Sequence, residues 1–221
     1  MFRKILGGTF LLSALLAAET ATASTMGITE WMYNSSVSGN IGEFVEFTNL
    51  SSSPIDMSGW SFDDSSRTAG STPLSAFGIV APGESVILTD AEANPFRTNW
   101  SLSDSVKIIG NNANNLGRSD ELNLYDNTNT LVDRLTFNDQ GTGDVKGPRT
   151  NGVSANPTSL SDVGINNASH WILSKAGDAY GSFTNAVGDV GNPGSFPVPE
   201  PSTIALLLTA TLGLLLGRRK F

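Results

Sequence analysis

The sequence has no cysteine and only one histidine in 221 residues. The first absence removes disulfides, zinc–thiolate sites, iron–sulfur clusters and cysteine nucleophiles, even in a compartment that permits disulfides. The second leaves His170, within Ala168-Ser169-His170-Trp171, as the one ordinary general base near neutral pH. Positive charge is also scarce, with 13 Lys and Arg against 21 Asp and Glu. With the two terminal segments described below set aside, residues 24–198 keep eight cations and nineteen carboxylates, a formal charge of −11. Nucleic-acid binding requires clustered cations that displace counterions from phosphate, so this domain is repelled by nucleic acid and by anionic membrane surfaces.

Long hydrophobic runs occur only at the two ends. Arg3 and Lys4 precede an apolar run from Ile5 to Ala18, and Ala21-Thr22-Ala23 supplies the small-residue pattern of a signal-peptidase site. Residues 1–23 are expected to be a signal peptide cleaved after Ala23. At the other end Ile204–Leu216 is apolar apart from Thr209, Thr211 and Gly213, and Arg218-Arg219-Lys220 follows at once. A helix over 202–217 would be about 24 Å long at 1.5 Å per residue, short for a hydrocarbon core of about 30 Å. Its cations are expected to stop on the cytoplasmic side as residues 218–221, leaving the acidic domain outside.

Helical periodicity is nearly absent between Ser24 and Phe196, while short alternating or β-branched runs recur between turn residues such as Pro54, Gly59, Pro82-Gly83 and Gly117. Strands are expected at 28–32, 43–49, 60–62, 85–88, 105–109, 121–125 and 131–137. In Glu43-Phe44-Val45-Glu46-Phe47 the residues Phe44 and Glu46 share one side, with Val45 and Phe47 on the other, so both faces of this strand are expected to be partly covered. Thr89 or Asp90 is expected to cap a short helix through Ala91, Glu92 and Ala93 that ends before Pro95. The fold class expected is all-β, a β-sandwich. Residues 138–194 are rich in Gly, Asn, Ser and Asp but carry Trp171-Ile172-Leu173, so they are expected to pack on the sandwich, giving way to a linker at 195–201.

Ile28-Thr29-Glu30, Gly42 to Asn49, Ile55-Asp56-Met57-Ser58-Gly59-Trp60, Leu74 through Leu88, and Leu122-Asn123-Leu124-Tyr125-Asp126 leading to Val132-Asp133 resemble the lamin tail domain. That family's immunoglobulin-like β-sandwich is what the resemblance implies for residues 24–137, and a non-catalytic module with it. The sequence departs from the pattern in a Ser/Thr/Gly insertion from Asp63 to Phe77. The tail, Pro199-Glu200-Pro201 with its apolar helix and basic end, resembles the PEP-CTERM sorting signal. This resemblance implies an exosortase as processing enzyme beside signal peptidase, a transient stay in the inner membrane, and delivery to the cell surface or extracellular matrix. Extracellular polysaccharide or an envelope protein is the partner class implied.

Other chemistry is weaker in the sequence. His170 lacks a Gly-x-Ser-x-Gly context, although Asp162 or Asp178 could orient it. Asp63-Asp64 and Asp120-Glu121 are calcium candidates without the spacing of a calcium loop. Glu43 and Glu46 face opposite sides of a strand and cannot flank one glycosidic bond. Trp31, Tyr33, Trp60, Trp100, Tyr125 and Trp171 could stack on sugars, with core packing the competing reading for most of them and Trp100, beside Asn99, the most open. Expected, then, is an exported, sorted, non-enzymatic surface module without cofactors. The alternatives are a permanently anchored single-pass inner-membrane protein and a metal-assisted hydrolase.

Overall fold

The computed structural model describes residues 26–198. The signal segment with Ala21 and Ala23, the Pro199-Glu200-Pro201 motif, the apolar segment 202–217 and Arg218, Arg219 and Lys220 lie outside the described residues. Among the described residues no helix is long and apolar enough to cross a membrane.

Among the described residues, fourteen strands and one α-helix follow in chain order. They are β1 (Met26–Met32), β2 (Phe44–Asn49), β3 (Ile55–Asp56), β4 (Ser61–Asp63), β5 (Thr72–Pro73), β6 (Ile79–Val80), β7 (Ser85–Thr89), α1 (Ala93–Asn99) and β8 (Ile108–Ile109). After these come β9 (Ser119–Tyr125), β10 (Leu131–Asn138), β11 (Ala155–Pro157), β12 (Trp171–Leu173), β13 (Phe183–Thr184) and β14 (Val190–Gly191). One sheet runs β12-β11-β1-β2-β7-β8, and a second runs β10-β9-β4-β5. Ile28, Val45, Phe47, Val86 and Leu88 of the first meet Phe62, Leu122, Leu124, Leu135 and Phe137 of the second in one buried cluster. The protein is therefore an all-β sandwich.

A β-bulge in β1 decides which side chains enter this core. Ile28 pairs with Phe47 and Glu30 with Glu46, so Thr29 is an extra residue on the β1 side of the ladder. Ile28 and Trp31 both face the inner core, and Thr29 and Glu30 between them both turn to the outer face, where they meet Glu46 and Thr48. The Ile28 N–H is met from the opposite sheet by Asp133 Oδ2 at 2.8 Å. Asp133 thus stands on the inward row of β10 with Leu135 and Phe137 because it bonds across the sandwich. Trp31 fills the adjoining space, stacked on Phe137 with centroids 3.9 Å apart.

The helix differs from its expected position. It spans Ala93–Asn99 with Glu92 as its N-cap, so Pro95 lies inside its first turn rather than beyond its end. There a missing N–H forfeits no intrahelical bond. Thr89 ends β7, where its hydroxyl donates to the Glu43 carbonyl and accepts from the Ala91 N–H. Ile87 of β7 joins Phe44 of β2 and Phe96 and Trp100 from α1 and its C-cap in a second apolar cluster on the outer face of the large sheet.

Burial raises the Asp133 carboxyl from its ordinary value near 3.8 to about 6, against the lowering effect of the Ile28 and Arg134 N–H groups. The folded state therefore holds this proton more tightly than the unfolded one. Its contribution to stability is fully present below about pH 3.8 and is lost as pH rises toward about 6. Denaturant unfolding of Asp133→Asn between pH 4 and 7 is expected to lack this part of the pH slope. Asp133→Ala, which leaves the Ile28 N–H buried and unmet, is expected to lose about 1–3 kcal/mol at pH 4.

Candidate functional site

The outer face of the large sheet is polar at its centre and sealed by the C-terminal third of the fold. Glu30 on β1 and Glu46 on β2 are direct partners across the ladder, and both are fully buried. Glu30 Oε1 accepts from the Ser154 hydroxyl and, at 2.8 Å, from the Asn192 N–H. Glu46 Oε1 accepts from Thr29 at 2.7 Å, and Glu46 Oε2 accepts from the Gly194 N–H at 2.6 Å. Around them Ser154, Ser174, Asn156 and Asn192 form a continuous set of bonds: Ser154 to Ser174, and Asn156 Nδ2 to both Ser174 and Asn192. Thr48 extends the set to Ser85 on β7. Glu30 Oε2 and Asn156 Oδ1 are buried in this layer without a bonding partner.

No lysine or arginine among the described residues bonds or pairs with either glutamate. Burial pushes the Glu30 carboxyl well above the ordinary range, with the Glu46 charge adding to the rise. Burial likewise raises Glu46 to about 7, despite four hydrogen bonds that favour its ionised form. Desolvation outweighs hydrogen bonding in both groups.

The covering segment is tied down at several points. Asp189 accepts from Ser35 Oγ at 2.6 Å and from the Ser36 N–H at 2.8 Å. Gly191 packs so closely that a Cβ there would lie 2.7 Å from both Glu30 Oε1 and Ser154 Oγ. Phe196 is buried and stacks on Tyr180, with centroids 5.8 Å apart. Beside this layer, an open groove of about 840 Å³ is lined by Val37, Ile41, Pro95, Phe96, Ala186 and Val187 among others.

The residues singled out in the sequence fall elsewhere. His170 Nδ1 lies 2.9 Å from Asp162 Oδ1, so the structure brings His170 to Asp162 and not to Asp178. Asp178 is instead occupied by Lys175, Tyr180 and Ser182. Asp162 also accepts from the Thr158 and Ser159 hydroxyls, and the histidine side chain is about half exposed. Asp63 accepts from Ser66 Oγ and the Thr68 N–H, and Asp64 from the Ser66 N–H. Asp120 accepts from the Gly117 and Glu121 N–H groups. Glu121 is bonded by Arg67, Asn123 and Thr136, with Arg134 at 3.6 Å, and the Arg67 guanidinium holds its carboxyl down at about 2. These four calcium candidates are thus engaged by protein donors, and the described residues contain no group of three His, Asp or Glu able to hold a metal.

Glu43 and Glu46 are separated by the sheet, Glu43 accepting from the Leu116 N–H on one side and Glu46 meeting Glu30 on the other. The six aromatic candidates for sugar stacking are all buried, Trp100 among them at 1% exposure, so their rings are core and not a binding platform. The glutamate pair as a unit was missed. Its sequence signal is a carboxylate in the middle of each of two apolar runs, Ile28-Thr29-Glu30-Trp31-Met32 and Phe44-Val45-Glu46-Phe47.

Comparison with known families places this geometry. The Lamin Tail Domain model matches residues 19–139, more than half of the chain, and so takes in β1 through β10 but not the segment that covers the glutamates. The PEP-CTERM protein-sorting motif matches residues 197–220, beginning directly after the buried Phe196. A search of curated proteins finds no match. With the sandwich inside the matched region and the sorting motif directly after Phe196, the chain belongs to the lamin tail domain family and carries a PEP-CTERM sorting motif at residues 197–220.

Proposed function

We propose that this is an exported, exosortase-sorted protein whose lamin-tail sandwich serves at the cell surface or in the extracellular matrix as a non-catalytic binding module. The observation that carries this reading is the join between fold and motif. Phe196, the last buried side chain among the described residues, is followed directly by the matched sorting motif. In this reading signal peptidase removes residues 1–23 after Ala23, and the segment 202–217 enters the inner membrane with Arg218, Arg219 and Lys220 on the cytoplasmic side. The exosortase then acts near Pro199-Glu200-Pro201 and leaves the acidic domain outside.

A non-catalytic role is supported by where the titratable groups lie. The carboxyls most strongly raised, Glu30, Glu43 and Glu46, are hydrogen-bonded within sealed layers rather than set in an open cleft. His170 and Asp162 form a pair, but no serine or threonine hydroxyl among the described residues is bonded to His170.

Mass spectrometry of the protein from its native host is expected to give an N-terminus at Ser24 and a C-terminus near Pro199. A mature chain ending at Phe221 would instead establish permanent anchorage. Purified residues 24–198 are expected to show no phosphodiesterase activity with or without divalent metal. Activity that disappears in His170→Ala would replace the binding-module reading with a hydrolase.

A further inference from the structure

Residues 190–196 reach the sorting motif through a run of chain held by the glutamate pair together with β13, Gly152 and Ser154 at Val190 and the Asn192 side chain's bonds to Asn156 and Ser182. Asn192 and Gly194 donate their N–H groups to Glu30 and Glu46, and Phe196 stacks on Tyr180, itself bonded to the Pro157 carbonyl. Only three residue steps separate Phe196 from Pro199, a reach of at most about 10 Å. A sandwich of this size has a radius of gyration of about 16 Å. Closed, the segment leaves only that short length of chain between the last stacked side chain and Pro199. If residues 190–196 come away, the next firm anchor is Asp189, held by Ser35 and Ser36. Ten residue steps then lead to Pro199, a reach of about 34 Å.

We propose that Glu30 and Glu46 form a clamp on residues 190–196 that sets the length of free chain before the sorting motif, and so controls access of the membrane-bound processing enzyme to that motif. The proposal rests on the reading of Pro199-Glu200-Pro201 as the processing site. Glu30 and Glu46 are positioning residues in it, acting through the chain they hold.

The groups facing the pair make the clamp sensitive to ionisation. β1 contributes Glu30, β2 contributes Glu46, and the 174–182 segment contributes Asp178, whose charge acts on Glu30. β7 supplies Ser85, while Ser154 and Asn156 come from the chain at β11, so these neighbours bring hydroxyl and amide groups only. On α1, Arg97 is turned away to the Ser103 and Val106 carbonyls. Glu30 Oε2 has no donor, so ionisation puts charge on a buried, unbonded oxygen beside a second carboxylate. Both carboxyls are raised in the closed form and return toward 4.5 once exposed. The closed form is therefore fully favoured below about pH 4.5 and loses stability as pH rises through the interval up to about 7 for Glu46, and further for Glu30.

Hydrogen exchange of the purified full chain in detergent, with peptides covering 190–196 and corrected for intrinsic rates, tests the clamp directly. Opening of this segment is expected to rise about tenfold per pH unit between pH 5 and 7 for each proton released. Glu46→Gln and the Glu30→Gln/Glu46→Gln pair are expected to flatten that dependence. Opening that is independent of pH in the parent, or equally pH-dependent in both variants, overturns the clamp. The second arm is a pulse-chase in an exosortase-bearing host with Gly191→Val, whose side chain collides with Glu30, Ser154 and Trp100 and displaces the segment without altering the tail. The processed fraction at a fixed chase time is expected to rise severalfold over the parent. An unchanged fraction overturns control of access, even where exchange shows the clamp. A parent chain that is never processed removes the sorting reading and with it the proposed control, an outcome separate from failure of the exchange arm.

Discussion

One extra residue in β1 organises both faces of the large sheet. Strict alternation through Ile28, Thr29, Glu30 and Trp31 would send Ile28 and Trp31 to opposite faces. With the bulge at Thr29, both enter the core between the sheets, and both intervening polar side chains turn outward. The same irregularity gives the Ile28 N–H to Asp133 on the opposite sheet, which explains a carboxylate on an otherwise apolar inward row. It also stands Glu30 opposite Glu46, so the outer face needs a cover able to donate hydrogen bonds. An apolar helix face alone could not meet that need.

The cover divides its work accordingly. α1 brings Phe96 and Trp100 over Phe44 and Ile87, where the outer face is apolar. The chain around 190–194 brings backbone N–H groups over the glutamates. Backbone donors suit this task because they are rigidly placed and carry no charge, whereas a lysine or arginine would form an ion pair and fix both carboxylates as anions. No lysine or arginine among the described residues meets these carboxyls, so neutral hydrogen-bond donors rather than a salt bridge hold the layer. Elsewhere the protein uses the other solution: Glu121 is paired with Arg67 and Arg134 on the outside of the small sheet, and its carboxyl is held low.

Much of the sandwich was legible because its strands obey short-range rules. The runs at 43–49, 85–88, 121–125 and 131–137 carry alternation or β-branched residues between strong turn signals, and each corresponds to a strand within a residue or two. The double-sided burial of β2 was also visible, since Phe44 and Phe47 lie on opposite faces of one strand. The helix lies later than its pattern suggests because Pro95, which can end a helix, sits equally well in its first turn. Two-residue strands such as β3, β5 and β6 left no periodic trace. The glutamate pair was illegible for a deeper reason. Its partners, Asn192 and Gly194, are 162 and 148 residues away and donate through their backbone, which no side-chain pattern records.

That last point bears on how the two recognisable parts of this chain relate. The family match stops at residue 139 and the sorting match begins at 197, leaving between them a Gly-, Asn-, Ser- and Asp-rich stretch that Trp171-Ile172-Leu173 marks as packing on the sandwich rather than as a spacer. A spacer would make domain and tail independent modules. Instead Ala155–Pro157 and Trp171–Leu173 extend the large sheet, and the chain then crosses its outer face to end at a buried Phe196. Residues held in that crossing are not free chain ahead of the matched motif, so the cover and the length of free chain before residue 197 depend on the same hydrogen bonds. On the proposed sorting, a mutation on the sheet that weakens the cover would free more chain ahead of the matched motif without changing any residue of the motif itself.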